Sequence, residues 1–391
     1  MSFVRSERYA AGILMFAAAL GLLLANTAIG PELIAFSATR VGLPAIGLDL
    51  SVGHWISDGL LAVFFFIVAV ELKRELAIGE LDSAKKALLP AIAAVGGVVV
   101  PALIYLAIAA SSGLAVGWPI PTATDIAFAL GVLAVVGRSL PTRVRVFLLA
   151  LAVLDDLVAI LIIAFFFTTD ANLAFVGLAA LTAIAFGLLS RLLAPRSRWV
   201  LARRPAWPIV TAMIVLGVAT WYLTSLSGVH ATIAGVALGL LAARRPGGRA
   251  AHVLEPYSNT IVLPLFAFSA AMVAIPAVRV SELSPAFWAI LVALPIGKIV
   301  GITLAGGLAI RLTARGSKPV LSMPDLFAVS ALGGIGFTVA LLMNELAFEA
   351  LPEVADEGTL AVILGSCAAI AISSVVVGLR SRHYRRAGHA S

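Results

Sequence analysis

The chain has 391 residues, 61% of them apolar and only 12% charged. That is about half the charged share of a soluble protein, which excludes a water-soluble globule, and no stretch between the apolar runs is long enough to build a soluble catalytic domain. The net charge of +7 would suit nucleic acid, but its distribution along the chain points to a membrane instead, and the single Cys367, inside an apolar run, supports neither a disulfide framework nor a thiolate metal site.

Apolar runs between polar breaks predict twelve transmembrane helices. A basic start (Arg5, Arg8) precedes residues 9–27, long enough to cross a bilayer and read here as an uncleaved first span. Residues 30–57 form the longest non-spanning piece. Within it Val41, Leu43, Ile46, Leu48 and Leu50 alternate loosely around Pro44 and Gly47, a pattern that suits a small β-hairpin or an irregular loop. Further spans centre near Phe66, Val98, Ala127, Asp156, Ala183, Val215, Ala237, Leu265, Lys298, Leu332 and Ala369; the one at Ala237 is short. Cytoplasmic loops are enriched in Lys and Arg. With the N-terminus inside, 24 of the 27 basic residues fall in inner connections or in the tail from Arg380 onward, and only Arg40 and Arg279 fall outside. The expectation is an all-α polytopic membrane protein, residues 1–391 forming one integral domain with both termini cytoplasmic. Its basic bias needs anionic lipid as partner and no nucleic acid or soluble protein.

Lys298 is the remaining basic residue, at the midpoint of the apolar run 286–310. Too deep to snorkel easily, a lysine there costs roughly 2.5–3.5 kcal/mol on insertion scales. Asp155 and Asp156 lie near the middle of the fifth span and Asp125 within the fourth. Three carboxylates against one amine invite a cation. Adjacent helical residues point about 100° apart, so one aspartate can meet Lys298 while the other faces water or an ion. Hard oxygen ligands suit Na⁺, Li⁺, Mg²⁺ or Ca²⁺.

Two spans are interrupted. Pro119 and Pro121 break the fourth just ahead of Thr124 and Asp125, and Gly333, Gly334 and Gly336, followed by Thr338, break the eleventh. Backbone freed inside a bilayer must be satisfied by protein or water, so broken helices mark a cavity. The half-helix ends carry partial charges that Asp125 and Lys298 could neutralise. Spans three to five and ten to twelve run in opposite directions, as inverted-topology repeats do.

The stretches Thr124-Asp125-Ile126-Ala127-Phe128-Ala129, Leu154-Asp155-Asp156-Leu157, Ser227-Gly228-Val229-His230-Ala231-Thr232, Leu263-Pro264-Leu265-Phe266, Gly297-Lys298 and Gly334-Ile335-Gly336-Phe337-Thr338 resemble, in order and spacing, those of NhaA-type sodium/proton antiporters, a family that itself exemplifies inverted repeats. The resemblance runs from about residue 10 to 380. It implies electrogenic exchange of cytoplasmic Na⁺ or Li⁺ for external H⁺ across a bacterial inner membrane, more active at alkaline pH and without a cofactor. Cation binding would fall on Asp155 and Asp156 with help from Thr124, and Lys298 would pair with Asp155. It further implies a homodimer joined through the outer, periplasmic hairpin, and pH regulation involving Glu71, Arg74, Glu75, His230, His252 and Glu255. Here the pattern departs from the family: where two histidines are usual, only His252 stands in Ala251-His252-Val253-Leu254-Glu255. Asp58 also matches a family acid, or is a helix-start residue.

Other classes fit less well. An intramembrane aspartyl protease needs its two aspartates on different helices, and a retinal photoreceptor would not have twelve spans with broken helices. A cation channel would not place a fixed amine opposite its acids. The alternative left standing is a proton-coupled transporter of another small ion or organic solute.

Overall fold

In hydrocarbon every backbone N–H and C=O must find a partner within its own segment, and the long apolar runs accordingly fold as helices. The computed structural model describes residues 7–79, 81, 84–168, 171–195, 197–201, 203–275, 279–313 and 321–388. Of the basic residues assigned to the inner side, Arg5, Arg196, Arg315 and Lys318 lie outside the described residues, as do the tail residues 389–391.

In chain order the main elements are α1 (Glu7–Ala25), α2 (Gly30–Ala38), β1 (Arg40–Leu43), β2 (Leu48–Ser51), α3 (Leu61–Ile78), α4 (Ala84–Ala109), α5 (Ile126–Val136), α6 (Thr142–Phe166), α7 (Leu173–Leu192), α8 (Trp207–Leu226), α9 (Thr232–Leu241), α10 (Arg244–Tyr257), α11 (Leu263–Ala270), α12 (Pro285–Val292), α13 (Lys298–Thr313), α14 (Met323–Gly333), α15 (Phe337–Ala347) and α16 (Pro352–Gly388). Among the described residues eight helical segments are long and apolar enough to cross a bilayer, or ten if each of two closely spaced helix pairs counts as one span. The predicted span at Ala237 corresponds to the ten-residue α9, short of the roughly 20 residues that a full crossing needs, and the one at Leu265 falls in α11, which continues without a break from α10 through a wide turn at Ser258–Val262. The chain is an all-α, multi-pass membrane protein.

Residues 40–51 form the one two-stranded sheet among the described residues, antiparallel, with Arg40 opposite Ser51 and Leu43 opposite Leu48. Its turn closes through Gly47 at φ 74°, a left-handed conformation that glycine adopts without Cβ strain. Val41, Leu43 and Ile46 remain exposed on it.

Two compact units divide the chain: Met1–Gly30, Glu80–Ala159 and Ala270–Ser391 in one, Pro31–Gly79 and Ile160–Ser269 in the other. The second unit holds the hairpin, α3 and α7–α11. In it Lys73 donates from Nζ to the carbonyls of Leu240 and Ala242, each at 2.7 Å, so a cation closes the carbonyl end of α9. The first unit holds α1, α4, α5, most of α6 and α12–α16. There α4 and α13 meet backbone to backbone at Gly96 and Gly301. A Cβ on Gly96 would stand 2.3 Å from the Gly301 carbonyl oxygen, and one on Gly301 would stand 2.1 Å from that of Gly96.

Candidate functional site

The two interruptions cross each other in the first unit. Ahead of α5, the proline-rich segment makes a 3-10 turn at Ile120–Thr122, then extended backbone at Ala123 and again at Asp125. Across from it, α14 ends at Gly333 and α15 resumes at Phe337, bent by 48°. The freed backbone groups find partners in one another. The Asp125 amide donates to the Ile335 carbonyl at 2.6 Å, and the Thr124 hydroxyl lies 2.9 Å from the Gly333 carbonyl oxygen. A Cβ at Gly336 would come within 2.9 Å of the Ala123 carbonyl oxygen, so the crossing needs glycine there.

Asp125 serves both half-helices. Its Oδ1 accepts from the Phe128 amide at 3.2 Å, capping α5, and its Oδ2 accepts from the Thr338 amide at 3.1 Å and hydroxyl at 2.7 Å, in the first turn of α15. One negative charge therefore faces two partially positive helix starts. Lys298 does not share this task, as the sequence had allowed; its amine goes to an aspartate.

That aspartate is Asp155, on α6 and 1% exposed. Its Oδ2 accepts from Lys298 Nζ and from the Thr124 hydroxyl, both at 2.6 Å. Its Oδ1 is buried and accepts no hydrogen bond among the described residues. Thr124 has one proton for two acceptors, Asp155 and the Gly333 carbonyl. Lys298, 0% exposed, is the first residue of α13, directly after a wide turn at Ala293–Gly297 that contains Pro295. Such π-type turns re-aim the side chain that follows, and the close α4–α13 approach brings the lysine stem to 3.7 Å from the position of a Cβ on Gly97. Asp156 follows Asp155 on α6 and is buried too. Asp155 is thus paired with Lys298, and Asp125 is held at two helix starts.

The residues expected to tune pH lie in the second unit, in two places. Glu71, on α3, is within electrostatic reach of Glu255, Arg74 and Glu75, and His252 sits one turn before Glu255 on α10. His230 is elsewhere, its Nδ1 3.3 Å from Asp58 Oδ1. Asp58 lies within the wide turn Trp55–Leu60 that leads into α3, so its side chain pairs with a histidine at the start of that span.

Two features escaped the sequence reading. One is the Gly96–Gly301 approach. The other is a further buried carboxylate, Asp325, in the first turn of α14 and 0% exposed. Its Oδ1 accepts from Arg380 Nε at 2.7 Å, and its Oδ2 accepts from the Tyr384 hydroxyl at 2.7 Å and faces Arg143 Nη2 at 3.5 Å. The signal for it was an acid inside the predicted eleventh span, three residues after Ser322, where an ordinary capping position also explains it.

The chain matches, over residues 1–377, the family described as Na⁺/H⁺ antiporter 1. It is similar to the Na⁺/H⁺ antiporter NhaA 2 of Clavibacter michiganensis, 61% identical over 393 residues that cover 100% of this chain and 94% of the relative. It is similar also to the Na⁺/H⁺ antiporter NhaA of Tropheryma whipplei, 45% identical with 98% and 96% covered, and to that of Thermobifida fusca, 41% identical with 98% and 94% covered.

Proposed function

The chain belongs to the Na⁺/H⁺ antiporter 1 family, and from that premise we propose that it exchanges cytoplasmic Na⁺ or Li⁺ for external protons at Asp155, Asp156 and Lys298. The observation that carries this reading is the lopsided Asp155 carboxylate, with two donors on Oδ2 and none on the buried Oδ1. A buried acceptor left without a partner is costly, and a bare cation supplies what it lacks. Na⁺ takes Oδ1 of Asp155, an oxygen of Asp156 and the Thr124 hydroxyl oxygen. Its charge weakens the hold of Asp155 on Lys298, and the ammonium gives up its proton as Asp156 gives up another. Release of Na⁺ to the other side lets both protons return. Two protons against one Na⁺ make the exchange electrogenic. Asp125 stays in place throughout, holding the starts of α5 and α15 together.

The Gly96–Gly301 approach of spans three and ten, and the crossing of the breaks in spans four and eleven, support inverted repeats. Twelve spans follow if α9 and the α10–α11 segment each complete a crossing; the charge pattern then puts both termini in the cytoplasm of a bacterial inner membrane. The exposed Val41, Leu43 and Ile46 support the outer hairpin as a homodimer contact. Anionic lipid is the other partner, and no cofactor, nucleic acid or soluble protein is required. The cluster of Glu71, Arg74, Glu75, His252 and Glu255 adjusts where activity rises with pH, and His230 acts with Asp58.

Everted vesicles containing the protein test the reading. Na⁺ or Li⁺ should collapse an acid-inside gradient and K⁺ should do so far less. Absence of any dye response to Na⁺ at neutral and alkaline pH, with the protein present in the membrane, would sink it. Reversal potentials in proteoliposomes decide the proton count separately.

A further inference from the structure

We propose that Asp325 is a positioning residue for the exchange: by tying one end of α14 to α6 and α16, it holds Gly333 at the other end in register with Thr124 and so sets the apparent affinity for Na⁺. The inference rests on the antiport reading above.

The sequence around Asp325 reads Ser322-Met323-Pro324-Asp325, a helix start with serine as the cap and proline in the first turn. An acid at this position ordinarily turns back toward the cap residue's amide and stays near water. Here the Asp325 amide donates to Ser322 Oγ at 3.3 Å, but the carboxylate turns inward and is taken by residues from two other helices. Arg380 does most of the binding. Its Nε reaches Asp325 Oδ1, and its Nη2 donates to Ser322 Oγ at 3.1 Å and to the Tyr384 hydroxyl at 3.4 Å. The guanidinium also stacks over the Tyr384 ring at 4.7 Å. Arg143 closes the group from the first turn of α6, its Nη2 3.0 Å from the Tyr384 hydroxyl. The first turns of α6 and α14 are thus joined to the last turns of α16 through one carboxylate.

What this does to the site follows from helix stiffness. The eleven residues of α14 make a rod about 16 Å long, and Leu326, Val329, Ala331 and Leu332 along it are 0% exposed. A rod so enclosed passes displacement from end to end. At its far end the Gly333 carbonyl shares the Thr124 proton with Asp155, and Asp155 rides on α6, the helix that Arg143 ties to Asp325. The clamp and the site therefore connect the same two helices at two points, and loosening one changes the spacing at the other.

The test compares Asp325→Asn, Arg380→Gln and Tyr384→Phe with the native full chain in proteoliposomes. The readouts are half-saturating Na⁺, maximal rate at saturating Na⁺, and thermal melting in detergent. The expected result is a rise in half-saturating Na⁺ of about fivefold in the first two variants, within the range by which residues off the ligand shift affinity, with maximal rate nearly unchanged. Arg380→Lys, which keeps the charge but not the planar fork, should restore part of it. Tyr384→Phe removes a single hydroxyl and decides the question if the charge variants fail to insert. Unchanged Na⁺ dependence in inserted variants overturns the proposal, as does a fall in maximal rate that simply follows melting temperature. If the native protein shows no Na⁺ response, the antiport reading is what fails. Hydrogen exchange along 326–333 then judges the clamp alone: faster exchange at the Gly333 end in the variants supports it, and unchanged exchange overturns it.

Discussion

Two carboxylates in one unit, Asp155 and Asp325, are both buried and both paired with a cation, yet they are held in opposite ways. Asp325 has donors on both oxygens, Arg380 on one and Tyr384 with Arg143 on the other. Asp155 receives both of its donors on Oδ2 and none on Oδ1. The partners differ as well. Arginine keeps its proton under all ordinary conditions, whereas a buried lysine can release one. A carboxylate saturated by permanent donors holds helices together; one half-saturated, against a partner that can deprotonate, is available for exchange. Burial and an ion pair alone therefore do not distinguish a staple from a site. What separates Asp155 from Asp325 is the distribution of donors over the two oxygens.

The sharpest way to break this comparison is Asp155→Asn. It should abolish Na⁺-driven proton movement and, by leaving Lys298 as an uncompensated buried charge, cost about 3–5 kcal/mol of stability. Initial rates in everted vesicles and melting in detergent measure the two effects. Asp325→Asn should melt earlier too, but its Arg380 partner is partly exposed and can turn toward water, so the loss is smaller and exchange persists. Asp156→Asn should also abolish exchange. Native transport in either Asp155→Asn or Asp156→Asn would mean that the site lies elsewhere.

Removing both charges sharpens the contrast. Asp155→Leu combined with Lys298→Leu should recover the stability lost in the single variant, since exchanging a buried pair for apolar residues is neutral or stabilising by about 1–4 kcal/mol. Transport should stay absent. If the double variant melts no higher than Asp155→Asn, the pair was not the source of the loss. Next in size is Thr124→Ala, which removes a hydrogen bond to a charged group worth about 1.5–3 kcal/mol. Half-saturating Na⁺ should rise accordingly, and Thr124→Ser should restore most of it. Equal Na⁺ curves for the alanine and native proteins would remove Thr124 from the site.

The smallest expected effect is that of pH. On the proposed scheme Na⁺ and protons compete for Asp155, Asp156 and Lys298. Lower pH favours protons in each case, so apparent Na⁺ affinity should fall as pH falls. Where only one of the two exchanged protons titrates across the pH range used, the limit is about tenfold, or 1.4 kcal/mol, per pH unit. Na⁺ titrations of transport current at several pH values measure it, with His252→Ala displacing the curve along the pH axis without flattening it. A half-saturating Na⁺ constant across the titration would exclude direct competition, and a dependence lost only in His252→Ala would put control in the second unit.

How much of this was legible in the sequence depends on how local the cause is. Apolar length dictates helix, and a lysine at the centre of an apolar run announces a site whatever surrounds it. The proline and glycine breaks were legible for the same reason. Which aspartate meets Lys298 was not fixed by residue types alone, because Asp155 and Asp156 differ only by a rotation of about 100° about their helix; the family resemblance, not the spacing, named Asp155. That Asp125 could neutralise a half-helix end was legible, but that it caps two of them at once depends on a crossing that only the folded chain makes. Asp325 went unread because its donors come from helices far along the chain and Arg380 had been counted as one more inner charge. The full crossing at Ala237 rested on apolar composition, while the helix formed there is short.

The reciprocal glycines of α4 and α13 carry a mechanical corollary. Where side chains lie between two helices, rotamer changes let one helix slide past the other. At Gly96 and Gly301 backbone meets backbone, flanked by the Cβ atoms of Ala305 and Val100, which no rotamer change moves. The two helices are geared, and Lys298 at the head of α13 travels wherever α4 travels. Any motion that turns the site from one side of the membrane to the other must then leave this contact intact and find its slip plane elsewhere, carrying the lysine as cargo of a solid block.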